Sequence, residues 1–204
     1  MTTHRVESLA ALEALYGKPL HTSVAKESPI VNAPYRRLIE AAPFVAVASL
    51  GAGGLDCSPR GDGPGFVQVL DERTLALPDR RGNNRLDTLR NLIEDPRIAL
   101  LFLIPGLELC LRVNGRAVIT TDPALCERFA VDGKLPVTSV VISVDTLYFQ
   151  CARALKRARL WSADAQAGTE TLPTAGELVQ SVLADFDGDA YDSTLEERQA
   201  GTLY

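Results

Sequence analysis

Between Phe44 and Phe149 the chain is a succession of short apolar runs, nearly all closed by glycine, proline or aspartate, a spacing that dictates many short strands joined by turns. Residues 44–50, 55–58, 66–70 and 74–77 read as the first four strands. Residues 97–104 form a nearly continuous apolar run, expected to be buried on both faces, and Pro105-Gly106 turns it. Residues 108–120 alternate apolar and polar side chains, and 137–149 supply a last long strand. Six or seven strands interrupted by two or three helices predict a mainly β, α+β chain built on a closed antiparallel barrel, not a doubly wound parallel sheet.

Helical spacing appears mainly around this region. Residues 8–16 form an apolar-periodic segment that stops at Gly17-Lys18-Pro19, and a second short helix covers 34–41. A helix from about 84 to 94 ends before Pro96, because the residue preceding proline is driven from the α region. Asp122-Pro123 opens another through about 129. Residues 162–173 are small and polar, as in a surface linker, and Thr174-Ala175-Gly176-Glu177 makes a capping box before a tail helix. With 204 residues, 46% of them hydrophobic, the chain can fill one core. The expected organisation is a single domain with N-terminal helices (1–42), a barrel core (43–161) and a linker and helical tail (162–204).

Several functions are disfavoured. No apolar run has membrane-spanning length, and Met1 to Glu7 lacks the basic start and apolar stretch of a signal peptide, so a cytoplasmic protein without membrane contact is expected. The net charge of -5 argues against nucleic acid. Cys57, Cys110, Cys126 and Cys151 have neither zinc-ligand nor disulfide-framework spacing and are expected to be reduced and mostly in the core. Asp185, Asp187 and Asp189 alternate like a calcium loop, but Ala190 stands where the loop needs glycine, so an acidic turn is the reading and no metal site is expected. The glycine runs at 51–54 and 61–65 match neither nucleotide-binding fingerprint and read as turns. Both histidines, His4 and His21, precede the barrel, which leaves its chemistry to a bound cofactor rather than to a histidine-based triad.

The most unusual segment runs from Pro78 to Asn91, where Arg80, Arg81, Arg85 and Arg90 and three asparagines surround Gly82 in an acidic chain. The strand 75–78 delivers the chain into it, and Asn83 or Asn84 can cap the helix carrying Leu86, Leu89, Leu92 and Ile93. Guanidinium groups and open helix amides at such a junction suit a phosphate. The same residues also describe an amphipathic helix with a solvated basic face.

Four segments in order resemble the pyridoxamine 5'-phosphate oxidase-like FMN-binding family over roughly 43–161: Ser58-Pro59-Arg60-Gly61-Asp62, Leu77 to Arg85, Asp95 to Phe102, and Leu111 to Ala117. The resemblance implies a split β-barrel homodimer with FMN at the subunit interface. It assigns Arg60 and the segment Asp79, Arg80, Arg81, Asn83, Asn84 and Arg85 to the cofactor phosphate and ribityl chain, and Leu77 and Pro78 to the flavin. Arg112, Asn114 and Arg116 would approach from the barrel of the same or the second subunit, and Lys156, Arg157 or Trp161 would close the site; Arg153 and Arg159 read as solvated helix residues. The phosphate favours charge-assisted donors and the ring an apolar slot. Pyridoxamine phosphate oxidases themselves carry a histidine-containing segment near the C-terminus, and no histidine follows His21 here. The expectation is therefore an FMN-dependent oxidoreductase acting on another small molecule, with catalytic residues unassigned. The alternatives are a non-catalytic FMN carrier or redox sensor, or a barrel that binds haem or a deazaflavin.

Overall fold

A computed structural model describes residues 4–166 and 171–204. Its centre is a seven-stranded sheet made of β1 (Phe44–Gly51), β2 (Gly54–Gly61), β3 (Gln68–Val69), β4 (Thr74–Pro78), β5 (Arg97–Leu103), β6 (Cys110–Thr120) and β7 (Ser139–Gln150). The strand order is β2-β1-β5-β6-β7-β4-β3 and every pairing is antiparallel. Asp62, just after the edge strand β2, and Arg80, just after β4, next to the strand at the other edge, form an ion pair. The mixed architecture of antiparallel sheet and helices is the one the turn-punctuated sequence predicts.

Alternation decides what fills the interior. Val45 and Val47 of β1, Ile98, Leu100 and Phe102 of β5, Leu111, Val113 and Ala117 of β6, and Val140, Ile142 and Val144 of β7 are all buried in one cluster. Period-two side-chain placement puts the intervening residues on the outer face. β5 is therefore not buried on both faces as its composition suggests: Ala99, Leu101 and Leu103 are half-buried on the outer side. A bulge between Asn114 and Gly115 shifts the β6–β7 register, so that Val144 and Leu147 both face inward. Gly115 is required there, because a Cβ at this position would lie against the Ser143 carbonyl oxygen.

The remaining differences have local causes. β2 runs on through Pro59 to Gly61, which an edge strand tolerates because the missing N–H faces away from the ladder. β3 shrinks to two residues while Phe66 and Val67 enter the core as loop. The helices are α1 (Leu9–Tyr16), α2 (His21–Ala25), α3 (Ala33–Ala41), α4 (Asp87–Glu94), α5 (Pro123–Glu127), α6 (Arg153–Ala158), α7 (Ala175–Gln180), α8 (Gly188–Ser193) and α9 (Leu195–Ala200). Ser8, Asn32 and Asp122 cap α1, α3 and α5, and both bonds of the Thr174–Glu177 capping box form at α7. Asp187, in the acidic turn, caps α8 by accepting the Ala190 N–H. α2, α6, α8 and α9 are shorter than the window in which periodicity becomes readable. The expected linker over 162–173 includes 167–170, which lie outside the described residues, and residues 163–166 form a 3-10 turn. Among the described residues no helix is long and apolar enough to cross a membrane.

The cysteines are less buried than expected. Only Cys126 is in the interior, with its sulfur 3.6 Å from the Ser139 hydroxyl. Cys110 is partly covered and Cys57 and Cys151 are exposed, Cys57 because it lies on the outer row of an edge strand and Cys151 because it follows the end of β7.

Candidate functional site

The candidate site forms where β4 ends. Leu77 and Pro78 are buried, their strand held by β7 through Leu77 opposite Val140 and Pro78 opposite Ser139. Asp79 continues the ladder by donating its N–H to the Thr138 carbonyl at 3.0 Å. The chain then leaves the sheet and exposes six consecutive residues, 81–86, before α4 begins.

α4 starts at Asp87, three residues later than the capping reading places it. Neither asparagine caps it. Asn83 instead accepts the Arg85 N–H at 3.1 Å, Asn84 has a left-handed φ of 57°, and Leu86 at the cap position has φ 60°. Leucine at positive φ is uncommon and strained, a feature that clusters where a loop is shaped for binding. No side chain caps α4, so its first-turn amides remain open beside the arginines.

The four arginines of the segment have different roles. Arg80 is committed internally: its Nε and Nη2 lie 2.7 Å from Asp62 Oδ2, its Nη1 donates to the Phe129 carbonyl at 2.7 Å, and its guanidinium stacks 5.2 Å from the Tyr204 ring centroid. Tyr204 completes the arrangement by donating its hydroxyl to Asp62 Oδ1 at 2.7 Å. Burial works to raise the Asp62 carboxyl, but the Tyr204 hydroxyl, the Gly63 N–H and Arg80 together hold it below its ordinary value. Arg81 is exposed and, among the described residues, its side chain has no partner. Arg85 donates to Asp87 at 2.8 Å on the surface. Arg90 is exposed within α4.

β2 brings Arg60 to the same corner. Asp56, Ser58 and Arg60 share the core-side row of β2, opposite Ser49, Val47 and Val45. Asp56 accepts hydroxyl bonds from Ser58 at 2.9 Å and from Thr88 of α4 at 2.8 Å, which fixes α4 over the strand. Arg60 lies close enough to Asp79 to oppose the upward shift that burial gives the Asp79 carboxyl. Beside these groups the Thr138 hydroxyl is buried without a hydrogen-bond partner. Such an orphan is costly in an interior and marks a position where a ligand group can be received.

Arg112, Asn114 and Arg116 do not join this corner within one chain. They occupy the even positions of β6, on the face opposite the buried Leu111, Val113 and Ala117. Arg112 stacks over the Tyr148 ring at 5.4 Å, and Arg116 stands opposite Arg97 and Ser143. The α6 segment docks elsewhere again: Lys156 pairs with Glu108 at 2.8 Å, Trp161 donates its indole N–H to the Leu107 carbonyl at 3.0 Å, and Arg157 is exposed. The expected site residues therefore fall into three groups: the β4–α4 corner with Arg60, the outer face of β6, and the α6 segment on the β5–β6 turn.

Residues 32–151, more than half of the chain, match the family described as pyridoxamine 5'-phosphate oxidase. The chain belongs to the pyridoxamine 5'-phosphate oxidase family. Among solved structures it resembles HupZ of Group A Streptococcus, with 19% identity over 59% of this chain and 94% of that one and a TM-score of 0.49. It also resembles an FMN-binding protein of Syntrophomonas wolfei, with 12% identity over 56% and 86% of the two chains and a TM-score of 0.42. A further likeness is to General Stress Protein 26 of Bacillus anthracis, with 14% identity over 55% and 88% and a TM-score of 0.42. Comparison with curated proteins returns no match.

Sequence reading overlooked several residues of this family member's corner: Asp62, Thr138 and Tyr204 above all. Asp62 sits in a Gly-Asp-Gly turn whose local chemistry explains it fully, and Tyr204 is separated from its partner by 142 positions. No periodicity or motif carries information about such a contact.

Proposed function

We propose that the protein is an FMN-binding flavoprotein acting as an oxidoreductase on a small molecule, and that it works as a homodimer. The observation that carries this reading is the division of labour at the β4–α4 corner. Arg80 is locked into the protein and holds the loop in place, while the next residue, Arg81, is exposed and, among the described residues, without a partner, in the loop that runs on through Arg85 to the uncapped start of α4. A guanidinium left free next to one that is fully engaged is the arrangement a phosphate fills, since charge-assisted donors give the strongest hydrogen bonds available there.

The residues present fit FMN. Arg60, Arg81, Arg85, Asn83 and Asn84 would hold the phosphate and ribityl chain, Leu77 and Pro78, whose side chains are packed in the core, would lie along the ring through the backbone of their strand, and the unpartnered Thr138 hydroxyl would offer it a polar contact. FMN, when bound, would supply hydride and electron transfer to or from a small molecule. Asp79 keeps a proton on its carboxyl more readily than an ordinary aspartate, because burial disfavours the charged form. Arg112, Asn114 and Arg116 reach such a site only from another copy, because their strand turns them outward; this supports a shared site and hence the dimer. Lys156, Arg157 and Trp161 lie on the β5–β6 turn within one chain, so in this reading they too would close the site from the second copy.

The test is reconstitution with FMN followed by anaerobic titration with reduced nicotinamides and small amines. Flavin absorption bands that bleach with one of these donors support an oxidoreductase. Stable flavin binding without bleaching by any donor moves the protein to the carrier or sensor class, and a failure to bind flavin overturns the reading.

A further inference from the structure

We propose that Tyr204 is a positioning residue for the phosphate site: it keeps Arg80 turned into the protein, so that the loop after β4 presents Arg81 and not Arg80 to the phosphate. This role rests on the FMN reading of the β4–α4 corner and adds the residue that selects the corner's donor. Little else fixes the loop. After the bond from the Asp79 N–H to Thr138, the last tie to the barrel before the exposed residues 81–86 is the Arg80 side chain, held by Asp62 and the Phe129 carbonyl. Where Arg81 leaves the protein therefore depends on the Arg80 guanidinium staying in place.

Tyr204 acts on that guanidinium in two ways. Its hydroxyl donates to Asp62 Oδ1 at 2.7 Å, the oxygen that also accepts the Gly63 N–H at 2.7 Å, while Arg80 Nε donates to Oδ2 at 2.7 Å. Both carboxylate oxygens are thereby engaged, and Asp62 is held in the orientation that Arg80 needs. The Tyr204 ring, its centroid 5.2 Å from the guanidinium carbon, covers one face of Arg80. That cover matters because breaking an ion pair kept from water is costly, whereas a solvated pair contributes little. Burial, the largest influence, raises the Asp62 carboxyl, and first among the groups that lower it is the Tyr204 hydroxyl.

The helical tail is arranged to deliver this one residue. Arg198 of α9 donates to the Tyr191 carbonyl of α8 at 3.0 Å and lies 4.4 Å from the Tyr191 ring centroid, which ties the two helices together. Beyond α9 the Thr202 hydroxyl donates back to the Arg198 carbonyl at 2.7 Å, and Lys134 donates to the Tyr204 carbonyl at 3.3 Å. Among the described residues, every hydrogen bond between residues 175–204 and residues 4–166 is made by Tyr204. The tail thus meets the polar framework of the barrel at a single residue, and that residue is seated on the Arg80–Asp62 pair.

The experiment compares the full-length parent with Tyr204→Phe, which keeps the ring and loses the hydroxyl, and Tyr204→Ala, which loses both, with urea unfolding curves confirming that all three are folded. Without flavin, brief trypsin treatment is followed by mass spectrometry of the first products. The parent should be cut after the exposed Arg81 and spared after Arg80. Cutting after Arg80 relative to Arg81 should rise about tenfold in Tyr204→Ala and by less in Tyr204→Phe, as expected when contacts to a charged group are lost. With flavin, paired titrations should show the parent's preference for FMN over riboflavin narrowed by about tenfold in Tyr204→Ala, with riboflavin affinity unchanged. Equal binding of the two flavins by the parent overturns the phosphate reading itself. A parent that prefers FMN, with the same preference or the same trypsin pattern in both variants, overturns the role of Tyr204 alone. So does an equal loss of both flavins in the variants, which a merely structural tyrosine would produce.

Discussion

Replacing Arg80 by alanine should damage folding, whereas the same change at Arg81 should leave stability nearly untouched. The Arg80 side chain is 16% exposed and its partner Asp62 7%, and removing the arginine leaves that carboxylate covered with only the Tyr204 hydroxyl and the Gly63 N–H beside it. Breaking a buried ion pair on one side costs about 3–5 kcal/mol. In a domain of this size each kcal/mol lowers the melting temperature by about 2–4 °C, which gives a drop of roughly 6–20 °C. Arg81→Ala, with no partner to lose, should stay within about 0.5 kcal/mol of the parent. The pH dependence has a definite sign. The folded Asp62 carboxyl titrates below its ordinary value of 3.8, so its contribution is fully present above that value and disappears as pH falls through the folded value. Urea unfolding of the parent, both variants and Asp62→Asn, repeated from neutral pH into acid, measures each quantity. An Arg80→Ala protein as stable as Arg81→Ala would refute the assignment of Arg80 to the framework.

Three further outcomes follow from the same geometry. Arg81→Ala or Arg85→Ala should weaken FMN binding by about 1.5–3 kcal/mol, roughly ten- to hundredfold, as measured by calorimetry on protein whose unfolding curve is unchanged. Gly115→Ala should destabilise the fold by about 1–3 kcal/mol or more in urea, because the added Cβ meets the Ser143 carbonyl and not a movable side chain. Light scattering should report twice the 22.0 kDa chain mass at micromolar concentration, as expected of an obligate interface burying about 2,000 Å² or more; a monomer that still binds FMN would remove the shared-site arrangement.

The strands were readable because the barrel alternates and each run ends in a residue that breaks pairing, so the position of β1, β4, β5, β6 and β7 follows from local chemistry. β3 was overestimated because Phe66 and Val67 are apolar for packing and not for pairing. The outer row of β5 was misjudged because alanine and leucine look equally buried in sequence whether or not a second layer covers them. At the candidate site, the density of arginine in an acidic chain singles out the β4–α4 corner. It could not show which arginine is locked and which is free, since that depends on Asp62, Phe129 and Tyr204, each fixed by tertiary structure. Nor could the spacing of Arg112, Asn114 and Arg116 show that β6 turns them away from Arg60; that follows only from the inward set of Leu111, Val113 and Ala117.

The central claim is that the β4–α4 corner is a phosphate site of a flavin cofactor, and a paired titration of the full-length protein with FMN and riboflavin tests it most directly. The two ligands share the ring and the ribityl chain and differ in the phosphate. Without it the donors around Arg81 keep no anion, and the loss of charge-assisted hydrogen bonds, each worth about 1.5–3 kcal/mol, should leave riboflavin at least tenfold weaker. Tighter binding of FMN by that margin, narrowed in Arg81→Ala, is the predicted result; equal affinity for the two flavins in the parent protein would contradict the account.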